Sequence, residues 1–256
     1  MITGERAVTG ENGFNPSWQR HVATYELADG ILDQGRVLDL GCGTGHSYER
    51  LAPRVTVGVD ISEEALAGQQ RETVRADMRA LPFADGAFDA VFSSHSIEHV
   101  PDPDRVVAEA ARVTKAGGQV VFATPNRLTF GVPDEIIDPY HHIEFDPCQL
   151  RDLVAPFFGQ VRVIGLFGSP RYMEFHDRER AKLRRLLKRD PLKVRRLLPM
   201  RAKQLLYDWK LTRERAQADA LAAGIALEDF HLGEDRLDEA LDLIAICRDP
   251  VHAATG

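Results

Sequence analysis

Short apolar runs recur along residues 36–125 and are separated by polar turns and amphipathic segments. The runs at 37–40 and 55–59 have the length and composition of buried parallel strands, which need no polar face. Further strands are predicted at 88–93 and 119–122, each introduced by a glycine- or proline-containing turn. Residues 48–51 read as the body of a helix. This alternation of strand and helix predicts an α/β fold with a doubly wound sheet.

The turn after the first strand carries Gly41, Gly43 and Gly45 behind Asp39, and the second strand ends at Asp60. Glycine lets the backbone approach a ligand closely because it has no side chain. An acid at the end of the second strand suits two hydrogen bonds to ribose hydroxyls. The glycine spacing is not the G-x-G-x-x-G of dinucleotide sites, and no P-loop lysine follows. The pattern therefore favours a nucleoside cofactor without a phosphate chain.

These residues, with the segments at 75–78, 81–93 and 113–122, resemble the motifs of the class I S-adenosylmethionine (SAM) methyltransferases over about residues 36–165. The resemblance implies a Rossmann-like, seven-stranded sheet and SAM as cofactor. It places Asp39 and the glycines of the turn at the methionine end of SAM. It places Asp60 on the ribose, and Asp77 with Met78 at the adenine. The expected cofactor residues are Asp39, Gly41, Gly43, Gly45, Asp60, Ile61, Asp77, Met78 and Ser94.

At 256 residues, 44% hydrophobic and 28% charged, the chain has the size and composition of one globular methyltransferase domain. The organisation we predict is an N-terminal cover helix, a SAM-binding core, a basic helical insertion and terminal strands. An antiparallel strand at 240–247 is expected to follow the insertion. The corresponding boundaries are 1–33, 34–168, 169–224 and 225–250.

Residues 18–32 have helical spacing and precede the first strand, where this family commonly places a helix over the cofactor cleft. Arg20 on this helix is a candidate bidentate partner for the SAM carboxylate. A plain surface charge is the alternative.

The three cysteines, Cys42, Cys148 and Cys247, are isolated and lack metal or disulfide spacing. No apolar run reaches membrane-spanning length, and the N-terminus lacks a basic-then-apolar signal. A reduced, cytoplasmic protein without a transmembrane segment is therefore expected.

Residues 178–203 are strongly basic, with twelve Lys and Arg against two acids, in a chain whose net charge is −7. Leucines at helical spacing predict amphipathic helices, broken near Asp190 and Pro191. A helical lid or a dimer element is one interpretation, which leaves a homo-oligomer open. Docking of an acidic substrate, a nucleic acid or an anionic membrane is the other. Sparse aromatic residues and overall acidity make a nucleic-acid partner the weaker choice.

Candidate catalytic groups follow the fourth and fifth strands, whose carboxyl ends line the ligand crevice in such folds. Methylation of a hydroxyl needs a base, and His141 or His142 in the second loop is the candidate. Glu98 and His99 in the first loop resemble a Glu-His pair of the ubiquinone-pathway O-methyltransferases. Some of those enzymes bind a divalent metal with an additional upstream carboxylate. His95 stands there in this chain, so we expect no metal and keep magnesium as an alternative.

The fourth strand does not end in the Asn/Asp-Pro-Pro-aromatic signature of amide and base N-methyltransferases, which favours a hydroxyl on a small polar metabolite. Segments 3–6, 124–130, 139–141 and 241–246 resemble actinobacterial sugar O-methyltransferases. That resemblance implies a sugar acceptor with His141 as its base, although the basic insertion fits an anionic acceptor better. RNA or protein methylation through the insertion and a non-enzymatic SAM-binding subunit are the alternatives.

Overall fold

The computed structural model describes residues 16–131, 135–188, 190, 198–205 and 224–251. Its centre is a single eight-stranded sheet, in which the strands are ordered β3–β2–β1–β4–β5–β8–β6–β7. The strands are β1 Arg36–Leu40, β2 Val55–Asp60, β3 Glu72–Arg75, β4 Phe88–Ser94, β5 Thr114–Pro125, β6 Phe158–Gly168, β7 Phe230–Gly233 and β8 Asp242–Pro250.

Helices cover both faces of the sheet, as the doubly wound prediction requires. On one face, Val106 and Leu150 of two helices pack against Leu38 and Val91. On the other face, Tyr25 and Tyr172 belong to a second core cluster. The helices are α1 Pro16–Ala28, α2 Glu63–Leu66, α3 Pro103–Val113, α4 Pro147–Val154 and α5 Pro170–Leu187. Helices α3 and α4 lie on the first face, and α1 and α5 lie on the second.

Strands β1 to β5 are parallel, and the three remaining strands form an antiparallel extension. Strand β8 pairs antiparallel with β5 on one side and with β6 on the other. This confirms the predicted antiparallel strand after the insertion. The sheet has eight strands where seven were expected, because the short strand β7 adds to the free edge of β6.

Strands β1 and β4 are neighbours at the centre of the sheet, and the strand order reverses between them. Their carboxyl ends carry the glycine turn and Ser94, respectively. A crevice at such a switch point is the general ligand site of open α/β sheets.

One local prediction differs from the structure. Residues 48–51 form a single 3₁₀ turn rather than the body of an α-helix, because Pro53 cannot donate the next helical hydrogen bond. The basic segment begins inside one long helix, α5, which ends at Leu187, close to the predicted break at Asp190 and Pro191. Within that segment, residues 189 and 191–197 lie outside the described residues, as do residues 206–223 after it. No described helix is long and apolar enough to cross a membrane.

Candidate active site

The glycine turn after β1 is held against β2 and leaves one side open. The N–H groups of Gly41 and Cys42 donate to the Val59 carbonyl at 2.8 and 2.9 Å. Gly41 and Gly43 have φ values of 74° and 53°, which L side chains rarely adopt. A Cβ at Gly41 would collide with Ser96, whereas one at Gly43 would meet nothing within 4 Å. The free space beside Gly43 is where a cofactor can approach the backbone.

Asp60 joins the glycine turn to the start of α2. Its Oδ2 accepts from the Gly43 N–H at 2.9 Å, and its Oδ1 accepts from the Ser62 N–H at 2.8 Å. Each carboxylate oxygen has a second lone pair, so ribose hydroxyls can still donate to it. Ile61 next to it is 63% exposed, which suits an apolar flank to a bound nucleoside.

Asp39 is fully buried below the turn, between the cover helix and the segment before β3. The Tyr25 hydroxyl donates to its Oδ1 at 3.0 Å, and Arg71 Nη2 donates to its Oδ2 at 2.7 Å. Burial raises the pKa of Asp39, and the Arg71 guanidinium opposes that rise. Nη1 of Arg71 is buried without a hydrogen-bond partner. Sequence reasoning missed Arg71, although a buried strand acid requires a compensating cation.

The residues expected at the adenine lie at the other end of the turn. The Met78 methyl group lies beside Gly41, in line with packing against a ring. Asp77 accepts from Arg79 Nη2 at 2.7 Å, and these hydrogen bonds lower the pKa of Asp77. Its carboxylate therefore reaches an adenine amino group only with a lone pair that Arg79 leaves free. Ser94 is buried at the end of β4, and its Oγ has no hydrogen-bond partner.

Arg20 does not have the surroundings expected of a partner for the SAM carboxylate. Its Nε donates to Asp242 Oδ2 at 2.7 Å, and its Nη2 donates to both Asp242 Oδ1 and the Leu241 carbonyl. Both members of this pair are buried. The bidentate fork of Arg20 is thus already used to fix α1 to β8. The sequence does contain a sign of this pair, because Asp242 directly precedes the apolar run at 243–246 and an acid buried there needs a cation.

Three histidines that were not among the predicted site residues lie beside this pair and the glycine turn. The His21 ring lies 4.0 Å from that of His95 and 6.4 Å from that of His46. Burial lowers the pKa of His46 to about 4 and lowers that of His21 well below its usual range. Both rings are therefore neutral at physiological pH.

The two candidate bases, His141 and His142, differ in their surroundings. His141 is largely buried, and its Nδ1 lies 3.0 Å from Glu144 Oε1. Because a carboxylate only accepts, Nδ1 carries the proton of the neutral ring, and Nε2, which lies 3.9 Å from Asp138 Oδ2, is the basic nitrogen. The His142 side chain is exposed, while its backbone N–H donates to the Glu98 carbonyl at 2.8 Å. The structure places His141 in a cluster with Glu98 and His99, and the His142 ring lies outside this cluster.

The surroundings of His141 raise the pKa of its ring. Burial disfavours its protonated form, but the Glu144 hydrogen bond and the nearby charges of Glu98 and Asp138 outweigh burial and raise its pKa. A raised pKa makes the neutral ring a stronger base.

His99 and Glu98 complete this cluster. The two imidazole rings of His99 and His141 lie 5.0 Å apart, edge to face. His99 Nδ1 donates to the Tyr140 carbonyl at 3.0 Å. Glu98 is buried, and its Oε2 accepts from the Thr124 hydroxyl at 3.0 Å.

Ligand atoms of Glu98, His99 and His141 all lie within 4.8 Å of one another. Two imidazoles and one carboxylate are donors that suit zinc or another transition ion. Magnesium prefers oxygen ligands, so this donor set does not fit the magnesium alternative.

Asn126 and Arg127 follow directly after β5. Asn126 is fully buried, and its amide donates to the carbonyls of Leu237 and Ala240, which gives it a structural role. Arg127 lies 3.7 Å from Asp146, and its Nε is buried without a hydrogen-bond partner.

Comparison with known proteins identifies the family of this chain. A family model described as a methyltransferase domain matches residues 38–122. A probable S-adenosylmethionine-dependent methyltransferase of Mycobacterium tuberculosis is 30% identical over 97% of this chain and 89% of its own length. The ubiquinone biosynthesis O-methyltransferase of Bordetella pertussis is 39% identical over 38% of this chain and 46% of its own.

The fold also matches a solved structure. A SAM-dependent methyltransferase of Thermotoga maritima, described as a possible histamine N-methyltransferase, superposes with a TM-score of 0.59 over 90% of each chain at 18% identity. That likeness shows the fold alone. Together with the full-length similarity and the open glycine turn, it leads to one conclusion. The chain belongs to the class I SAM-dependent methyltransferases.

Proposed function

We propose that this methyltransferase acts on a hydroxyl of a small polar metabolite, such as a sugar, with His141 as general base. The observation that carries the proposal is the buried His141–Glu144 pair, which holds one ring nitrogen protonated and the other free. When bound, SAM supplies an activated methyl group to the hydroxyl oxygen and leaves as S-adenosylhomocysteine. His141 Nε2 accepts the hydroxyl proton, while Glu144 stabilises the imidazolium that forms.

The choice of a hydroxyl has support beyond the histidine. The Bordetella relative is named an O-methyltransferase, and the resemblance to sugar O-methyltransferases points the same way. Residues 93–95 at the end of β4 also lack the Pro-Pro signature of the amide and base N-methyltransferases. Nucleic acid has no comparable support. We propose a cytoplasmic setting, in line with free thiols at Cys42, Cys148 and Cys247.

The test is S-adenosylhomocysteine release over sugars, glycosides, phenols, quinone precursors and total RNA. With the best acceptor, we expect His141→Gln to lower turnover by at least ~100-fold, because general-base catalysis contributes about that much. SAM affinity should not change. His142→Gln is the matched control and should keep normal turnover, because its ring is exposed. Normal turnover of His141→Gln would move the base elsewhere.

Three further results would redirect the proposal. Loss of turnover in EDTA, restored by a divalent ion, would make Glu98 and His99 metal ligands. Release with RNA alone would favour RNA methylation, with the basic insertion as the docking surface. Stable SAM binding without turnover of any acceptor would favour a non-enzymatic SAM-binding subunit.

A further inference from the structure

One face of α5 carries Tyr172, His176 and Arg180, spaced four residues apart and therefore stacked along the helix. Tyr172 is buried and hydrogen-bonds to Arg20 of the pair that fixes α1 to β8. Arg180 follows Tyr172 by about two helical turns, so its backbone lies ~12 Å from that of Tyr172 along the axis of α5.

Arg180 is a half-buried cation that forms no hydrogen bond to a carboxylate among the described residues, although the charge of Asp177, three residues earlier, acts on it. Its Nη2 donates to the Leu128 carbonyl at 3.2 Å, and its Nε is buried without any hydrogen bond. None of the ion pairs among the described residues includes it. Burial, and then the nearby Arg184, lower the pKa of Arg180. The other described arginines with a shifted pKa, such as Arg20 and Arg171, are shifted upward by a carboxylate.

Two more buried nitrogens without hydrogen-bond partners belong to His176 and Arg127. His176 lies one turn before Arg180, and burial, followed by the charges of Arg20 and Arg180, lowers the pKa of His176 to about 4. Arg127 directly precedes Leu128 in the loop after β5, and its Nη2 lies 3.7 Å from Asp146. Buried donors without partners cost free energy, so a group that accepts from them would be bound favourably.

This region adjoins the proposed base. Phe130, two residues after Leu128, has its ring 5.2 Å from that of His141. The loop after β5 therefore contacts Arg180 at one point and His141 at another.

We propose that Arg180, assisted by His176 and Arg127, binds a carboxylate or phosphate group of the hydroxylated acceptor. The inference rests on the proposed function for the acceptor's role and deepens it by naming an anionic substrate class. Arg180 supplies a guanidinium whose fork matches either anion. The remaining basic residues of α5 act at longer range.

The first test measures anion binding without turnover. Inorganic phosphate and malonate are titrated separately by calorimetry into the full chain loaded with S-adenosylhomocysteine. We expect saturable binding of at least one, weakened at least tenfold by Arg180→Gln. Arg185→Gln is the matched control, because Arg185 is exposed on the same helix and the charge change is identical. Equal affinity in both variants, or no binding of either anion, would overturn the proposal.

The second test separates this proposal from the proposed function. Glucose 6-phosphate and glucuronate are compared with methyl glucoside as acceptors, alongside an RNA oligomer. We expect Arg180→Gln to raise KM for the preferred anionic acceptor at least tenfold with little change in kcat. Turnover of only the neutral glycoside would leave the O-methyltransferase function standing and overturn the anion site. Anion binding without methylation of any hydroxyl would leave the anion site standing and overturn the O-methyltransferase function. RNA affinity lowered equally by Arg180→Gln and Arg185→Gln would replace the site by a diffuse docking surface.

Discussion

At the scale of single residues, Asp60 accepts from the N–H groups of Gly43 and Ser62, and we propose that the same carboxylate binds the ribose of the cofactor. Asp60→Asn replaces one acceptor oxygen by a donor amide, so one backbone N–H loses its partner. We expect the Kd of S-adenosylhomocysteine to rise at least ~10-fold, the size of a lost charged hydrogen bond. Calorimetry measures this, with Glu63→Gln as an exposed control. An unchanged Kd would refute the ribose assignment.

Glu144 tests the base at the same scale. The Glu144 hydrogen bond helps to raise the pKa of His141, and the base acts only when neutral. Wild-type turnover should therefore rise as the pH rises through that raised pKa. Glu144→Gln removes the charge at nearly constant size, so the midpoint of the pH–rate profile should move to lower pH. A profile with an unmoved midpoint would show that the titrating group is not His141.

At the scale of elements, the Arg20–Asp242 pair connects α1 to β8 across the second core face. Arg20→Met leaves Asp242 buried and unpaired, which we expect to cost ~3–5 kcal/mol of unfolding free energy. Removal of both charges in Arg20→Met/Asp242→Leu should recover much of that loss. Urea unfolding measures both variants. A double variant as unstable as the single one would show that packing, rather than the unpaired charge, dominates.

The same scale shows what a sequence can predict. Strands β1 and β2, the glycine turn and the antiparallel β8 were predicted because each depends on a short local pattern. The partner of Arg20 was not predicted, since it lies 222 residues away and any buried acid could have served. Arg71 was missed for the same reason, because only the folded chain brings it to Asp39. His141 and His142 carry identical local signals, and only the loop's path buries one and exposes the other.

At the scale of the whole molecule, three histidines make stability depend on pH. Burial lowers the pKa of His21, His46 and His176, whereas an unfolded histidine titrates at about 6.5. Between about pH 6.5 and 4 the unfolded chain therefore binds more protons, and stability falls as the pH falls. We expect a slope on the order of 1–3 kcal/mol per pH unit near pH 5.

Urea unfolding between pH 7 and 4.5 measures that slope. His141 has a raised pKa, so its contribution is complete below about pH 6.5 and is lost only at higher pH. Asp242 has a lowered pKa, so its contribution is lost only below about pH 4. His176→Asn should lessen the slope by removing one titrating ring. A flat stability over this range would contradict neutral burial of the three rings.

The position of β8 in the sheet has a consequence for synthesis on the ribosome. Strand β8 lies between β5 and β6, although it follows both in the chain. Strands β1 to β5 can pair with one another as they emerge, but β6 and β7 must wait for β8 before they join them. Helix α1, which precedes every strand of the sheet, likewise waits for Asp242. The parallel half of the sheet is thus available early to a nascent-chain chaperone, and the antiparallel half is completed last.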